Sequence, residues 1–310
     1  MHDLIKIASV PYGSATASKT QRTTLPMTDE LNARRIGTGD LGIEISSLQA
    51  SEATSAQVQA LIRLLAEHGV VVLRDQELKP CDYVAFAKLF GEIEPSTRER
   101  YWLPEQNEIY VISNVLENGR PIGNPNDGFA WHTDQYYFER PTAYTFLYGI
   151  ETPPVGADTQ FCSTRSLYEE LSDDERREFS AINIVASHAK LSAVRAGEGK
   201  AVDQAEFDKC PDVVHPLVRT HPVSGNKFLY FSAERASKPL GMSEQELSSL
   251  LKRLYARATR PENVYSHKWR PKDLVIWDNR GLLHTATLYD KERYRRICYR
   301  MSVIGERPYK

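Results

Sequence analysis

Trp131-His132-Thr133-Asp134 and, far downstream, Trp277-Asp278-Asn279-Arg280-Gly281-Leu282-Leu283-His284 are the two stretches that decide how this chain reads. Two imidazoles and one carboxylate are the set with which a protein grips one face of ferrous iron and leaves the other face open to chemistry. Residues i and i+2 of a strand point to the same side, so His132 and Asp134 can reach one ion without bending the chain. A third ligand, His284, arriving from so distant a segment points to a barrel whose remote strands meet at the metal. The triplet alone is weak. With 8 His and 41 Asp+Glu in 310 residues, roughly one His-x-acid triplet arises by chance. Its bland reading is a half-buried strand with an ordinary His–Asp hydrogen bond.

Its company strengthens it. From Arg293 the chain runs Arg-Tyr-Arg-Arg-Ile-Cys-Tyr-Arg-Met-Ser-Val-Ile to Ile304. Ile297, Tyr299, Met301 and Val303 alternate with Arg296, Cys298, Arg300 and Ser302, the period of a strand, which puts Arg296 and Arg300 on one face. On an exposed sheet this is a solvated basic stripe. Inside a barrel each guanidinium needs an anion, because an unpaired buried charge costs several kcal/mol, and arginine suits bidentate binding of a carboxylate. Thr159 opens a short β-prone run after a turn-like stretch and offers a hydroxyl to a pocket, although β propensity alone also explains a threonine there.

His132-x-Asp134, Thr159, His284, Arg296 and Arg300 together resemble the taurine/2,4-dichlorophenoxyacetate dioxygenase family of iron(II)/2-oxoglutarate oxygenases. Gly69-Val-Val-Val-Leu-Arg-Asp-Gln76, Leu89-Phe-Gly-Glu92, His215-Pro-Leu-Val-Arg-Thr-His-Pro-Val-Ser-Gly225 and Leu274-Val-Ile-Trp-Asp-Asn-Arg280 are similar to its recurring segments, in its order, over nearly all of residues 28–310. The resemblance implies Fe(II) on His132, Asp134 and His284, with 2-oxoglutarate chelating the iron and its distal carboxylate on Arg296 and Thr159. It implies O2 as the other cosubstrate, and succinate and CO2 as products alongside an oxidised C–H bond. Arg300 matches the position that grips the substrate's anionic group in the taurine enzyme. Related halogenases look as if they replace the ligating carboxylate with a small residue, so Asp134 points to hydroxylation or desaturation. The stretch after Glu92, Ile-Glu-Pro-Ser-Thr-Arg-Glu-Arg-Tyr-Trp102, lacks the taurine enzyme's substrate-binding histidine, so taurine is not the expected substrate. Arg98 and Tyr101, with Arg100 and Trp102, are expected as wall or rim of the substrate site.

Composition bounds the rest. At 41% hydrophobic, 310 residues can bury one large domain or two small ones. A net charge of −2 with dispersed Lys and Arg leaves no footprint for nucleic acid. The four cysteines (81, 162, 210, 298) form no C-x-x-C pair, which argues against a dithiol or zinc-finger site and suits a reduced, cytoplasmic enzyme. No apolar run is long enough to span a membrane. Residues 1–27, rich in Ser, Thr and Ala, are expected to be a flexible extension, a transit peptide being the alternative, and 28–310 the catalytic domain. A homo-oligomer is left open.

Helices are expected at 55–68, capped by Thr54-x-x-Gln57 and closed by Gly69, from Pro80 to Phe90, and from Ser243 to about Ala256. Short strands are expected near 70–74, 108–112, 130–138, 144–150, 158–162, 182–188, 215–219, 227–232, 273–277, 283–287 and 296–304. Many short strands without regular βα alternation favour a mainly β fold with flanking helices around a double-stranded β-helix, the cupin-like jelly-roll. Residues 191–214 are expected as a lid over the metal or an ordinary loop. Of the other histidines, His215 and His221 are expected to set turns, His188 to be a satisfied core residue ending a strand, and His68 to meet the carbonyl end of its helix; His267 is placed in a polar loop. Two other classes compete: a zinc hydrolase on the same three ligands, which gives Arg296 and Thr159 no task, and a non-enzymatic jelly-roll ligand-binding protein.

Overall fold

The apolar runs build the scaffold. In a computed structural model, which describes residues 31–125, 128–197, 210–232 and 236–310, the chain forms short strands and six helices among those residues. Strands β1 (Ala33–Arg35), β2 (Ile43–Ile45), β3 (Val70–Leu73), β4 (Trp102–Leu103) and β5 (Gln106–Ser113) come first, followed by a small hairpin, β6 (Leu116–Glu117) and β7 (Arg120–Pro121). Next are β8 (Thr142–Glu151), β9 (Thr159–Ser163), β10 (Asn183–Ala186), β11 (Val213–Pro216), β12 (Val218–Thr220), β13 (Lys227–Leu229) and β14 (Ser237–Lys238). The last four are β15 (Val264–His267), β16 (Leu274–Asp278), β17 (Leu282–Ala286) and β18 (Ile297–Ile304).

Eight of these strands form one sheet in the order β1-β2-β3-β16-β8-β18-β5-β4, and β15-β9-β17 form a second. The strands hydrogen-bond as separate sheets, not as the continuous ring that a barrel in the strict sense requires. Alternation sorts the side chains of the large sheet between two cores. Val71, Leu73, Phe146, Tyr148, Leu274, Ile276, Met301 and Val303 pack with helices α1 (Ser55–His68) and α2 (Pro80–Lys88) on one face. Val70, Val72, Leu147, Val275, Trp277 and Cys298 face the other way and meet Phe161, Tyr265 and Leu282 of the second sheet. The candidate site lies between the two sheets, on this second face.

Helix α1 starts on the reciprocal Thr54–Gln57 capping box and ends at Gly69, whose φ of 71° is open to glycine at little cost. Helices α3 (Thr164–Glu169), α4 (Asp173–Ala181) and α5 (His188–Gly197) were not anticipated, and α6 (Glu244–Ala258) extends the expected span by two residues. Leu247, Leu250, Leu251 and Leu254 of α6 form a further core with Leu167, Phe179 and Ile184.

Several expectations need correcting. Residues 130–138 form no strand: His132 makes one bridge and the chain then turns at 134–137. His188 begins α5 instead of ending β10, which stops at Ala186. Residues 191–197 are helical, 210–212 form no helix or strand, 213 and 214 belong to β11, and the remainder of the expected lid, 198–209, lies outside the described residues, as do 1–27. His68 bonds the Asp40 carbonyl at 2.7 Å, not its own helix end. His267 is a fully buried strand residue 3.2 Å from Asp273.

Between β16 and β17 the chain reverses at Asn279-Arg280-Gly281, where an added Cβ on Gly281 would stand 2.2 Å from the Phe228 ring. G281A is expected to lower stability by about 1–3 kcal/mol through overpacking, read as a shift in urea midpoint at unchanged slope. An unshifted midpoint would mean that Phe228 yields freely.

Candidate metal centre

His132 and His284 meet because their backbones pair. His132 N–H donates to the His284 carbonyl at 3.0 Å and receives the reciprocal bond at 2.8 Å. Directly opposed residues of an antiparallel pair share a face, and here the imidazole centroids lie 4.2 Å apart. The turn after His132 swings Asp134 beneath them. Its Oδ1 is 3.5 Å from His132 Nε2 and its Oδ2 3.6 Å from His284 Nε2. One donor atom from each residue falls within 4.8 Å of the others, the geometry of a three-ligand metal site.

The surroundings preset these groups. His132 Nδ1 lies 2.6 Å from the Ala130 carbonyl, so the proton belongs on Nδ1 and the Nε2 lone pair is left for a metal. His284 packs between Phe161 and Trp277, with ring centroids at 6.2 and 4.8 Å. Burial drives its pKa down to about 3, helped by His132 and opposed by Asp134, so the ring is neutral at physiological pH. Burial alone would raise the Asp134 carboxyl. The Arg300 guanidinium, with His284 and His132, outweighs it and holds Asp134 well below the usual carboxylate range. Arg300 Nη2 sits 2.8 Å from Asp134 Oδ1.

A closed set of buried hydrogen bonds fixes the other carboxylate oxygen. Thr145 Oγ1 donates to Asp134 Oδ2 at 2.6 Å and accepts from Asn279 Nδ2 at 2.8 Å. Asn279 Oδ1 in turn accepts from Asp134 N–H at 3.2 Å and from Trp277 Nε1 at 3.1 Å. Thr145, Asn279 and Trp277 are all 2% exposed or less, so each bond is made in a dry interior. Sequence reasoning missed Thr145 and Asn279. The available signal was a threonine inside the apolar run of β8 and an asparagine at the tight turn after β16.

Arg296, Thr159, Arg300, His132, Asp134 and His284 line one cavity. Arg296 is 5% exposed; Cys298 is beside it, and among the described residues no carboxylate is within ion-pair reach. Thr159 Oγ1 accepts from Trp269 Nε1 at 3.0 Å, which leaves its own proton to donate. Arg98 lines a second cavity that shares His132, Asp134 and Arg300 with the first, and its Nη1 reaches the Tyr110 hydroxyl at 3.5 Å. Tyr101 is not among the residues lining that cavity; its ring stands edge-on to Tyr110, which does line it, with centroids 6.0 Å apart. His215 is in strand β11, not a turn, and its Nε2 bonds the Tyr136 and Phe138 carbonyls at 2.9 and 3.1 Å. It thereby pins the segment whose Tyr136 and Tyr137 line the second cavity. His221 does set the turn at 222–224, and its Nε2 also lies 3.0 Å from Asp278.

Comparison with known proteins agrees with this arrangement. The family described as taurine catabolism dioxygenase TauD, TfdA family matches residues 26–302. The chain belongs to the TauD/TfdA family. A 2,4-dichlorophenoxyacetate dioxygenase of Cupriavidus pinatubonensis, named as alpha-ketoglutarate-dependent, is 34% identical over 78% of this chain and 87% of its own length. An alpha-ketoglutarate-dependent sulfonate dioxygenase of Saccharomyces cerevisiae is 30% identical over 90% of this chain and 68% of its own. The solved structure of AAD-2 with Mn(II) and N-oxalylglycine superposes with a TM-score of 0.76 at 27% identity, covering 89% of this chain and 99% of that one. This TauD/TfdA member is a 2-oxoglutarate-dependent non-haem iron dioxygenase, and Fe(II), 2-oxoglutarate and O2 are its cofactor and cosubstrates. No helix among the described residues is long and apolar enough to cross a membrane.

Two outcomes are expected from these bonds. T145V, nearly isosteric, should weaken metal binding about 10–100-fold, measured by competition with a chromophoric chelator; unchanged affinity would show that Thr145 does not orient Asp134. Burial holds His215 at a pKa of about 4, below its unfolded value of about 6.5. Below that unfolded value the denatured chain gains a proton that the native chain refuses, so stability falls as pH drops from about 6.5 to 4. In H215Q the loss over this window should be smaller by about 3 kcal/mol, read from denaturant midpoints; parallel curves would contradict the assignment.

Proposed function

We propose that the two facing sheets are the double-stranded β-helix of a jelly-roll, and that the site between them oxidises a C–H bond of a small anionic molecule. The observation that carries this reading is the cavity shared by the His132–Asp134–His284 triad, the buried Arg296 guanidinium and the Thr159 hydroxyl. A dry cation without a counter-charge is costly, and a cosubstrate carboxylate is the anion that would relieve it. Arg296 would take that carboxylate as a planar donor pair while Thr159 adds one hydrogen bond.

Iron, when bound by His132, Asp134 and His284, would supply O2 activation coupled to decarboxylation of 2-oxoglutarate to succinate and CO2. The protein's own contribution is placement. The Ala130 carbonyl and the Phe161–Trp277 pair hold the two imidazoles, and Thr145 holds the carboxylate. Arg300 lies at the junction of the two cavities and would hold the substrate's anionic group near the metal, with Arg98 on the wall. The relatives named for 2,4-dichlorophenoxyacetate and for sulfonates suit an anionic substrate. No disulfide joins the four cysteines, which accords with a cytoplasmic setting.

R296A should cost about 2–5 kcal/mol in 2-oxoglutarate binding, because it leaves the distal carboxylate unpaired. Calorimetric titration of the Mn(II)-loaded protein reads this directly. Wild-type affinity in the variant would remove Arg296 from the cosubstrate site.

A further inference from the structure

Arg296 and Arg300 reach one cavity, but their backbones are held differently. Arg300 sits inside β18, opposite Tyr110 of β5 on one side and Leu147 of β8 on the other. Arg296 precedes the strand. The β5 ladder ends at the Ser113–Ile297 pair, and on the β8 side the register slips between Ile297 and Cys298. Neither ladder includes the residue whose guanidinium must meet a carboxylate at a set depth. Residues 287–296, which carry the chain from β17 to Arg296, form no helix or strand.

The Asn114 side chain takes the ladder's place. Continuing the β5–β18 register by one pair sets Asn114 opposite Arg296. Asn114 Oδ1 accepts from Arg296 N–H at 2.8 Å, and its Nδ2 donates to the Lys291 and Tyr294 carbonyls at 2.8 and 2.9 Å. Two carbonyls and one N–H admit a single orientation of that amide. The turn it grips is closed by Asp290, whose Oδ1 accepts from the Glu292 and Arg293 N–H groups at 3.1 and 3.0 Å. The Asp290 carbonyl accepts from Tyr294 N–H at 3.0 Å. The residues on either side of Asn114 are pinned in turn. Ser113 N–H donates to the Asn124 carbonyl at 3.1 Å, and Val115 N–H to Ser113 Oγ at 3.0 Å.

A guanidinium–carboxylate pair is planar and bidentate, so a retreat of about 0.5 Å already spoils it. Resting on the proposal that Arg296 takes the distal carboxylate of 2-oxoglutarate, we propose that Asn114 is the positioning residue for Arg296. It fixes the backbone from which the guanidinium projects, and with it the preference for a keto acid that ends in a carboxylate at that depth. Asn114 lines neither cavity of the site, so it acts through Arg296.

The test uses the full chain loaded with Mn(II), with water-proton relaxation reporting chelation. The probes are 2-oxoglutarate and 2-oxovalerate, which has the same carbon chain without the distal carboxylate. Wild type should favour 2-oxoglutarate, and R296A should bring the ratio of the two affinities to about one. N114A should lower that ratio on the order of tenfold, through weaker 2-oxoglutarate binding alone, with affinity for 2-oxovalerate and for Mn(II) kept. N114S, which keeps a hydroxyl but cannot span all three partners, should shift it the same way by less, and it decides the matter where N114A does not fold. Adding N114A to R296A should change nothing further. A wild-type ratio in the Asn114 variants, an equal loss for both keto acids, or a further fall in the double variant would overturn the proposal. A wild type without the preference, or a preference that survives in R296A, would instead remove Arg296 as the anchor, and this inference with it.

Discussion

A carboxylate kept ionised in a dry interior is the constraint on which the rest of this structure depends. Asp134 is 4% exposed, and leaving it charged and unpaired would cost several kcal/mol. Thr145 meets one of its oxygens and Arg300 the other, while both ligand imidazoles turn their Nε2 atoms toward it. These partners come from β8, β18, β17 and the bridge at His132. The large sheet, the small sheet and the turn at 134–137 must therefore all be in register before the centre exists. The reciprocal backbone bonds between His132 and His284 do this at one point, and the Asn279 side chain does it at a second.

Positive charge is divided in a way that gives each arginine a different partner. Arg296 and Arg300 lie four residues apart on or beside β18, and both reach the cavity between the sheets. Arg300 is tied to Asp134, whereas Arg296 has the Cys298 thiol beside it and no carboxylate among the described residues. The same strand thus steadies a metal ligand with one guanidinium and holds the other ready for an incoming diacid. Selectivity between anions then follows from what lies beyond Arg300, where the lining turns polar and both signs of charge are present.

The sequence made some of this legible because local rules and tertiary structure agree there. The Thr54–Gln57 capping box and Gly69 bound α1, and the alternation in 296–304 marks β18 and puts Arg300 and the preceding Arg296 toward one cavity. Where the two disagreed, pattern reading failed. Residues 130–138 have β-prone composition, yet only His132 finds a strand partner, and the chain turns to bring Asp134 under the imidazoles. Helix α4 carries a full Ser172–Glu175 capping box, but Phe179 is its only buried residue, so no apolar stripe announces it. Thr145 and Asn279 are distant in sequence and meet only because β8 and β16 are neighbours in the sheet. No local pattern encodes such a meeting.

Stepwise anaerobic addition of 2-oxoglutarate to the Fe(II)-loaded protein, followed by its visible charge-transfer absorption, tests the central claim most directly. Chelation by the keto acid at an iron held by His132, Asp134 and His284 predicts a band that saturates at one equivalent and is absent from D134A. A protein that binds the metal but develops no band, or develops it equally in D134A, contradicts the account.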